Sequence, residues 1–190
     1  MGVVILAGGA SSRMGRDKAR LSLDGRSLLA HVRAAARSLD YPVRIIRRDR
    51  IGRCGPLGGI YTALRSSRSG AELFLACDMP FISPGLLRRI ARSLRVRDQA
   101  SFAVVGRRTG FPFVIRSEAA PIVKRQILRG QLSVHALARV LKARRIMARP
   151  AEKQSLFNIN TPEEFAAATQ RSSAQRRSRS NRKDVPTGPR

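Results

Sequence analysis

Five short apolar runs set the fold class of this chain: VVILA (3–7), VRII (43–46), ELFLAC (72–77), FAVV (102–105) and PFVI (112–115). Each is rich in branched or aromatic residues and too short to be the core of a helix, so each is expected to be a buried strand. Helical periodicity fills most of the intervening sequence. Leu28, Leu29, Val32, Ala36 and Leu39 fall on one helical face, and Ser83-Pro84 supplies an N-cap and first-turn proline for a helix using Leu86, Leu87, Ile90 and Leu94. Ser133 can cap a helix carrying Val134, Leu137, Val140 and Leu141, and Thr161-Pro162-Glu163-Glu164 has the pattern of a capping box opening a last helix. Strands separated by helices pair in parallel, so the expected architecture is α/β, one three-layer domain around a mostly parallel sheet. At 190 residues the chain is long enough to bury a substantial core.

The segment from Arg171 to Arg190, RSSAQRRSRSNRKDVPTGPR, breaks this pattern. It has no aromatic residue and one large aliphatic, Val185, and is expected to be a disordered basic tail behind a domain of residues 1–170. It holds seven basic residues and one acid, so most of the formal charge of +26 rests on the domain itself. Such a charge favours polyanionic partners: nucleic acid, membrane surface or phosphorylated small molecules. Nearly all of it is arginine scattered through helices and turns, a distribution that a compositional bias explains as well as a binding face does. Only 5% of residues are aromatic, and the basic side chains gather in no single recognition helix, so nucleic-acid binding is not expected as the main function and is left open only for the tail. VVILA is too short to cross a bilayer and lacks the flanks of a signal peptide, and the two cysteines, Cys54 and Cys77, have neither zinc spacing nor disulfide density. No membrane partner and a cytoplasmic location with reduced thiols are expected.

In a sheet of this kind ligands collect outside the carboxyl ends of the strands, so the loops that follow the strands are the informative ones. After VVILA comes GGASSRMGRDK. Gly8 and Gly9 let the backbone turn sharply and approach a ligand, Ser11 and Ser12 add hydroxyls, Arg13 offers a planar fork to phosphate oxygens and Lys18 a mobile charge for a leaving group. A Gly-Gly pair alone is usually only a turn; with two serines, an arginine and a lysine behind the first strand it describes an anion cradle. Neither GxGxxG nor GK[ST] occurs, which excludes the dinucleotide fingerprint and the P-loop.

Three further stretches follow. In CGPLGGI (54–60), glycines flank a rigid proline before a helix, an arrangement suited to backbone contact with a base or ribose, although a Gly-Pro turn alone says little. Upstream, Asp49 lies among Arg47, Arg48, Arg50 and Arg53, where a solvated ion pair is the plainer reading. The run ELFLACDMPF ends a strand in Asp78, a carboxylate at the sheet edge where Mg²⁺ is commonly held. In FNINTPEEF (157–165), Asn158 and Asn160 alternate with Ile159 and can offer amide groups to a polar ligand from one side of an extended segment. His31 and His135 have no nucleophile or carboxylate at a telling spacing and are read as structural or solvent-facing.

Taken in order, LAGGASSRMGRDKARL, GPLGGI, LACDMPF and NINTPEEF resemble the molybdenum cofactor guanylyltransferases of the nucleotidyltransferase superfamily, over about residues 1–168. The resemblance implies a Rossmann-like fold that joins GMP from Mg-GTP to the phosphate of molybdenum-loaded molybdopterin, giving molybdopterin guanine dinucleotide and pyrophosphate, with molybdoenzymes or their chaperones receiving the product. By matching position it implies that Leu6, Ala7, Gly8, Gly9 and Asp49 contact the nucleotide, Lys18 its phosphates, Asp78 the Mg²⁺ as well as the nucleotide, and Asn158 and Asn160 the molybdopterin. Arg13 and Lys18 would be catalytic. One departure stands out: RIIRRDRIGRCGPLGGI runs almost directly from strand to GPLGG, whereas the family usually has a longer segment with an asparagine near the base. The alternatives are a relative using CTP to make the cytosine dinucleotide, or one acting on a phosphorylated sugar; LAGG in place of LAAG, together with CDMPF, favours guanine.

Overall fold

The computed structural model describes residues 1–8, 21–49, 51–52 and 54–183, the last ten of these by backbone alone. Its centre is a six-stranded sheet formed by β1 (Gly2–Leu6), β4 (Val43–Ile46), β5 (Ala71–Ala76), β6 (Ala100–Val105), β7 (Arg108–Arg116) and β8 (Arg144–Met147), in the order β4-β1-β5-β7-β6-β8. β1 pairs in parallel with both β4 and β5, and β6 with β8; β7 runs antiparallel to β5 and β6. Five of the six strands therefore point the same way.

Period-2 alternation builds the layers. Val3, Ile5, Leu73 and Leu75 face one side, where they pack on α1 (Leu28–Arg37) through Leu29, Val32 and Ala36 and on α3 (Pro84–Ala91) through Leu86, Leu87 and Ile90. Val4, Leu6 and Phe74 face the other side, toward α2 (Gly55–Arg65), α4 (Ala120–Leu128) and α5 (Val134–Val140). There Phe113 stacks between Phe74 and Phe102, with centroids at 5.1 and 4.3 Å. Both faces of β1 are covered, which is why it reads as an unbroken apolar run.

The expected caps are present: Ser83 Oγ accepts from Leu86 N and Ser133 Oγ from Ala136 N. Val140 departs from expectation. Val134, Leu137, Ala138 and Leu141 complete a buried i, i+3, i+4, i+7 stripe, and Val140 falls off it, 49% exposed. Two elements carry no long apolar run. A small hairpin, β2 (Ser22–Leu23) with β3 (Arg26–Ser27), turns through Asp24 and Gly25, both at positive φ, and β8 is a short edge strand whose alternate residues Arg145 and Met147 are exposed.

The last helix, α6 (Pro162–Lys183), crosses the boundary drawn at residue 170. Arg171, expected to open a disordered tail, lies over the Phe157 ring at 4.4 Å, and Ser172 is buried. Residues 171–172 thus pack against the domain: the composition of the segment is polar, but its first turn is held by an aromatic face. Asp184–Arg190 lie outside the described residues.

Candidate active site

Register brings the ends of three strands abreast, because Leu6 pairs with Ile46 on one side and with Ala76 on the other. The chain leaving β1 stays in contact with both neighbours: Ala7 N donates to Ile46 O (2.8 Å), and Cys77 N donates to Leu6 O (3.1 Å). Ala7 is half-buried and Gly8 exposed at this edge. A Cβ at Gly8 would stand 2.4 Å from the Arg47 carbonyl oxygen, so only glycine lets the two loops pass this closely.

Asp49, in the loop after β4, lies against α2. Its Oδ2 is 2.7 Å from where a Gly58 Cβ would be, and its Oδ1 is 3.1 Å from a Gly59 Cβ, which Leu6 also approaches. The expectation that the GPLGG glycines offer backbone to a base or ribose is corrected at two of them. Gly58 and Gly59 are buried inside α2, and their missing side chains make a seat for the Asp49 carboxylate; Gly55, exposed and at positive φ, begins the helix. Burial raises the Asp49 pKa above its ordinary value.

Asp78 stands in the turn that follows β5, half-buried. Its carbonyl oxygen accepts a hydrogen bond from Ile159 N (2.9 Å), which ties the NINT segment to the carboxylate turn. Ile159 is fully buried against Leu23, Leu28 and Ala168, whereas Asn158 and Asn160 on either side of it are half-buried, the alternation expected of an extended segment. Leu6, Ala7, Gly8, Asp49, Asp78, Asn158 and Asn160 are thereby gathered at the carboxyl edge of β4, β1 and β5. Gly9, Ser11, Ser12, Arg13 and Lys18 lie outside the described residues.

The donor set suits a hard cation shared with phosphates. Among the described residues no group of three or more His, Cys, Asp or Glu side chains forms a metal cage. One carboxylate at a strand end leaves most coordination positions to phosphate oxygens and water, the usual mode for Mg²⁺. The histidines are accounted for otherwise: His31 Nε2–H donates to Leu23 O (2.8 Å), and His135 is exposed on α5. Cys54 and Cys77 are free thiols. A cavity of about 420 Å³ lies elsewhere, lined by Asp24, His31, Phe81, Gln154, Ser155 and Ser172 among others. Of the motif residues only Pro80 and Phe81, at the end of LACDMPF, are among its lining, and it shares Leu23 and Phe81 with the cluster enclosing Ile159.

Sequence reasoning missed a clasp beside that cavity. Arg89 of α3 donates through Nε to Glu152 Oε1 (2.9 Å), and Arg149 N donates to Glu152 Oε2 (2.8 Å), holding the turns around 150–156 against the domain. Burial acts to raise the Glu152 pKa, but the hydrogen bonds from Arg89 and Arg149 and their charges outweigh it, so the carboxyl is held below its ordinary value. The sixty-three residues separating the partners leave no local signal.

Comparison with known proteins matches this arrangement to one family. The model of the MobA-like NTP transferase domain matches residues 3–50 and 33–151. A probable molybdenum cofactor guanylyltransferase of Opitutus terrae is 32% identical over 185 residues, covering 84% of this chain and 90% of the relative. One of Carboxydothermus hydrogenoformans is 25% identical over 181 residues, covering 86% and 92%. The crystal structure of molybdopterin-guanine dinucleotide biosynthesis protein A from Archaeoglobus fulgidus superposes with a TM-score of 0.70 at 23% identity, over 92% of this chain and 100% of that one, a likeness of fold. Gly8 at the end of the first strand, a carboxylate at the end of the neighbouring strand and a family match spanning both lead to one conclusion: the chain belongs to the MobA-like NTP transferase domain family and is a nucleotidyltransferase.

Proposed function

We propose that this enzyme transfers GMP from Mg-GTP to the terminal phosphate of molybdenum-loaded molybdopterin and releases pyrophosphate. The observation that carries the reading is the convergence of Ala7, Gly8, Asp49, Asp78 and the NINT segment on one sheet edge, in a chain whose relatives are named molybdenum cofactor guanylyltransferases over nearly their whole length. An oxygen of the acceptor phosphate attacks the α-phosphorus, the bond from that phosphorus to the bridging oxygen breaks, and pyrophosphate leaves. No protein nucleophile is required.

In this reading the backbone of Leu6, Ala7, Gly8 and Gly9 approaches the nucleotide, and Asp49, seated on α2, bounds its nucleoside end. Lys18 meets the phosphates and follows charge onto the leaving group; Arg13 offers its fork to the charge that develops in transfer. Asp78 would hold Mg²⁺, which when bound neutralises phosphate charge. Asn158 and Asn160 orient the acceptor.

A second reading, transfer of CMP, is favoured by one feature: only eight residues join Ile46 to Gly55, which removes the stretch where the family usually carries an asparagine near the base. Mg²⁺-dependent pyrophosphate release, measured with molybdenum-loaded molybdopterin and each of GTP, CTP, ATP and UTP, separates the two. Preference for GTP is expected. Preference for CTP would replace the base and keep the chemistry, and no release with any nucleotide would overturn the acceptor.

A further inference from the structure

We propose that Glu164 is a positioning residue for the acceptor side of the site, locking the backbone that presents Asn160 and tying it to the turn of Asp78. The proposal rests on the assignment of Asn158 and Asn160 to the acceptor.

In an ordinary capping box the glutamate reaches back to one N–H, that of the N-cap residue. Both halves of that box are present: Thr161 N donates to Glu164 Oε2 (3.1 Å), and Glu164 N donates to Thr161 Oγ1 (3.2 Å). Here the same Oε2 also accepts from Asn160 N. Those two N–H groups belong to the peptide planes on either side of the Asn160 α-carbon. Peptide planes are rigid, so holding both fixes φ and ψ of Asn160 and with them the direction of its side-chain bond.

One residue earlier, Ile159 N donates to Asp78 O (2.9 Å) while the Ile159 side chain is fully buried. Three consecutive N–H groups, 159 to 161, thus have partners: the Asp78 carbonyl once and the Glu164 carboxylate twice. The bond from Asn160 N is not needed to start α6, because Thr161 and Glu164 already complete the capping box between them. The additional bond serves the segment upstream of the helix, where the two asparagines lie.

The test compares Glu164→Ala, Glu164→Gln and Thr161→Ala. Glu164→Ala is expected to raise the KM for molybdenum-loaded molybdopterin roughly tenfold, with the KM for GTP changed less than about twofold. Glu164→Gln keeps an acceptor oxygen and should recover most of the loss. Thr161→Ala weakens the helix start by a comparable amount and should leave the acceptor KM near that of the parent. Amide hydrogen exchange at Ile159 and Asn160 provides a readout independent of turnover and is expected to quicken in Glu164→Ala but not in Thr161→Ala. Equal effects of Glu164→Ala and Thr161→Ala on acceptor KM and on exchange would reduce Glu164 to a helix cap and overturn the proposal. Absence of transfer by the parent enzyme would overturn the acceptor assignment instead, and unchanged exchange in Glu164→Ala would then still overturn the latch.

Discussion

A methyl group added at Gly8 would stand 2.4 Å from the Arg47 carbonyl oxygen, a backbone atom that cannot turn aside. Gly8→Ala is therefore expected to cost about 1–3 kcal/mol of stability, as overpacking usually does, and thermal unfolding would measure it. Gly58→Ala should behave differently. The nearest atom to its new Cβ is the Asp49 Oδ2, at 2.7 Å, the end of a side chain that can move. Replacing glycine by alanine inside a helix gains roughly 1 kcal/mol, which offsets part of the crowding. The Ile51 carbonyl oxygen, a backbone atom, stands 3.0 Å from the same Cβ, a milder clash than at Gly8, so a smaller loss of melting temperature than in Gly8→Ala is expected, together with displacement of the Asp49 carboxylate and a raised KM for nucleotide. Asp78→Asn removes a charge without adding bulk; it is expected to lower pyrophosphate release by roughly 100-fold or more with unfolding unchanged. Undiminished release would remove Asp78 from metal binding. At this scale much was legible. The strand-end positions of Gly8 and Asp78 were readable from strand-then-loop order, but the seat of Asp49 on Gly58 and Gly59 was not, because nothing local says which side chain a helical glycine makes room for.

Among the elements, helices α1, α3 and α5 were legible because their apolar stripes have the helical period, with serine caps marking the starts of α3 and α5; the Ser27 cap of α1 was seen only in the structure. The hairpin β2–β3 had a signal in its Asp-Gly pair, but with strands of two residues each it offered no alternation to support it. β8, RRIM, was hidden by its two arginines; only the parallel partner β6 makes it a strand. The clasp between α3 and the 150–152 turn yields a prediction in pH. Because Glu152 has a folded-state pKa below 4.5, its contribution to stability is fully present above 4.5 and is lost as pH falls through the lowered value. The melting-temperature difference between the parent and Glu152→Gln should be full near neutrality and down to about pH 4.5, and shrink as pH falls below that. A difference independent of pH would mean that the clasp does not depend on the carboxylate charge.

For the whole molecule the boundary of the domain is the quantity to test. From Arg171 over Phe157 and the buried Ser172 we propose an edge after Ser173 in place of one at residue 170. Truncation after Ser173 should leave melting temperature and pyrophosphate release unchanged. Truncation after Gln170 should destabilise by about 1 kcal/mol, the scale of one partly exposed cation–π contact. Equal stability of the two truncations would return the boundary to residue 170. Among the described residues no helix is long and apolar enough to cross a membrane. The sequence by itself determined the layered α/β class, the strand-end position of the motif residues and the family, because hydrophobic period and loop composition are local properties that survive without contacts. Tertiary structure alone decided that β7 runs against its neighbours, that Asp49 rests on α2, that Glu152 clasps Arg89 and that the NINT segment hangs on the Asp78 carbonyl. Each of these joins residues distant along the chain, and such pairings are selected by packing and by the need to partner buried backbone groups, which no single stretch of sequence encodes.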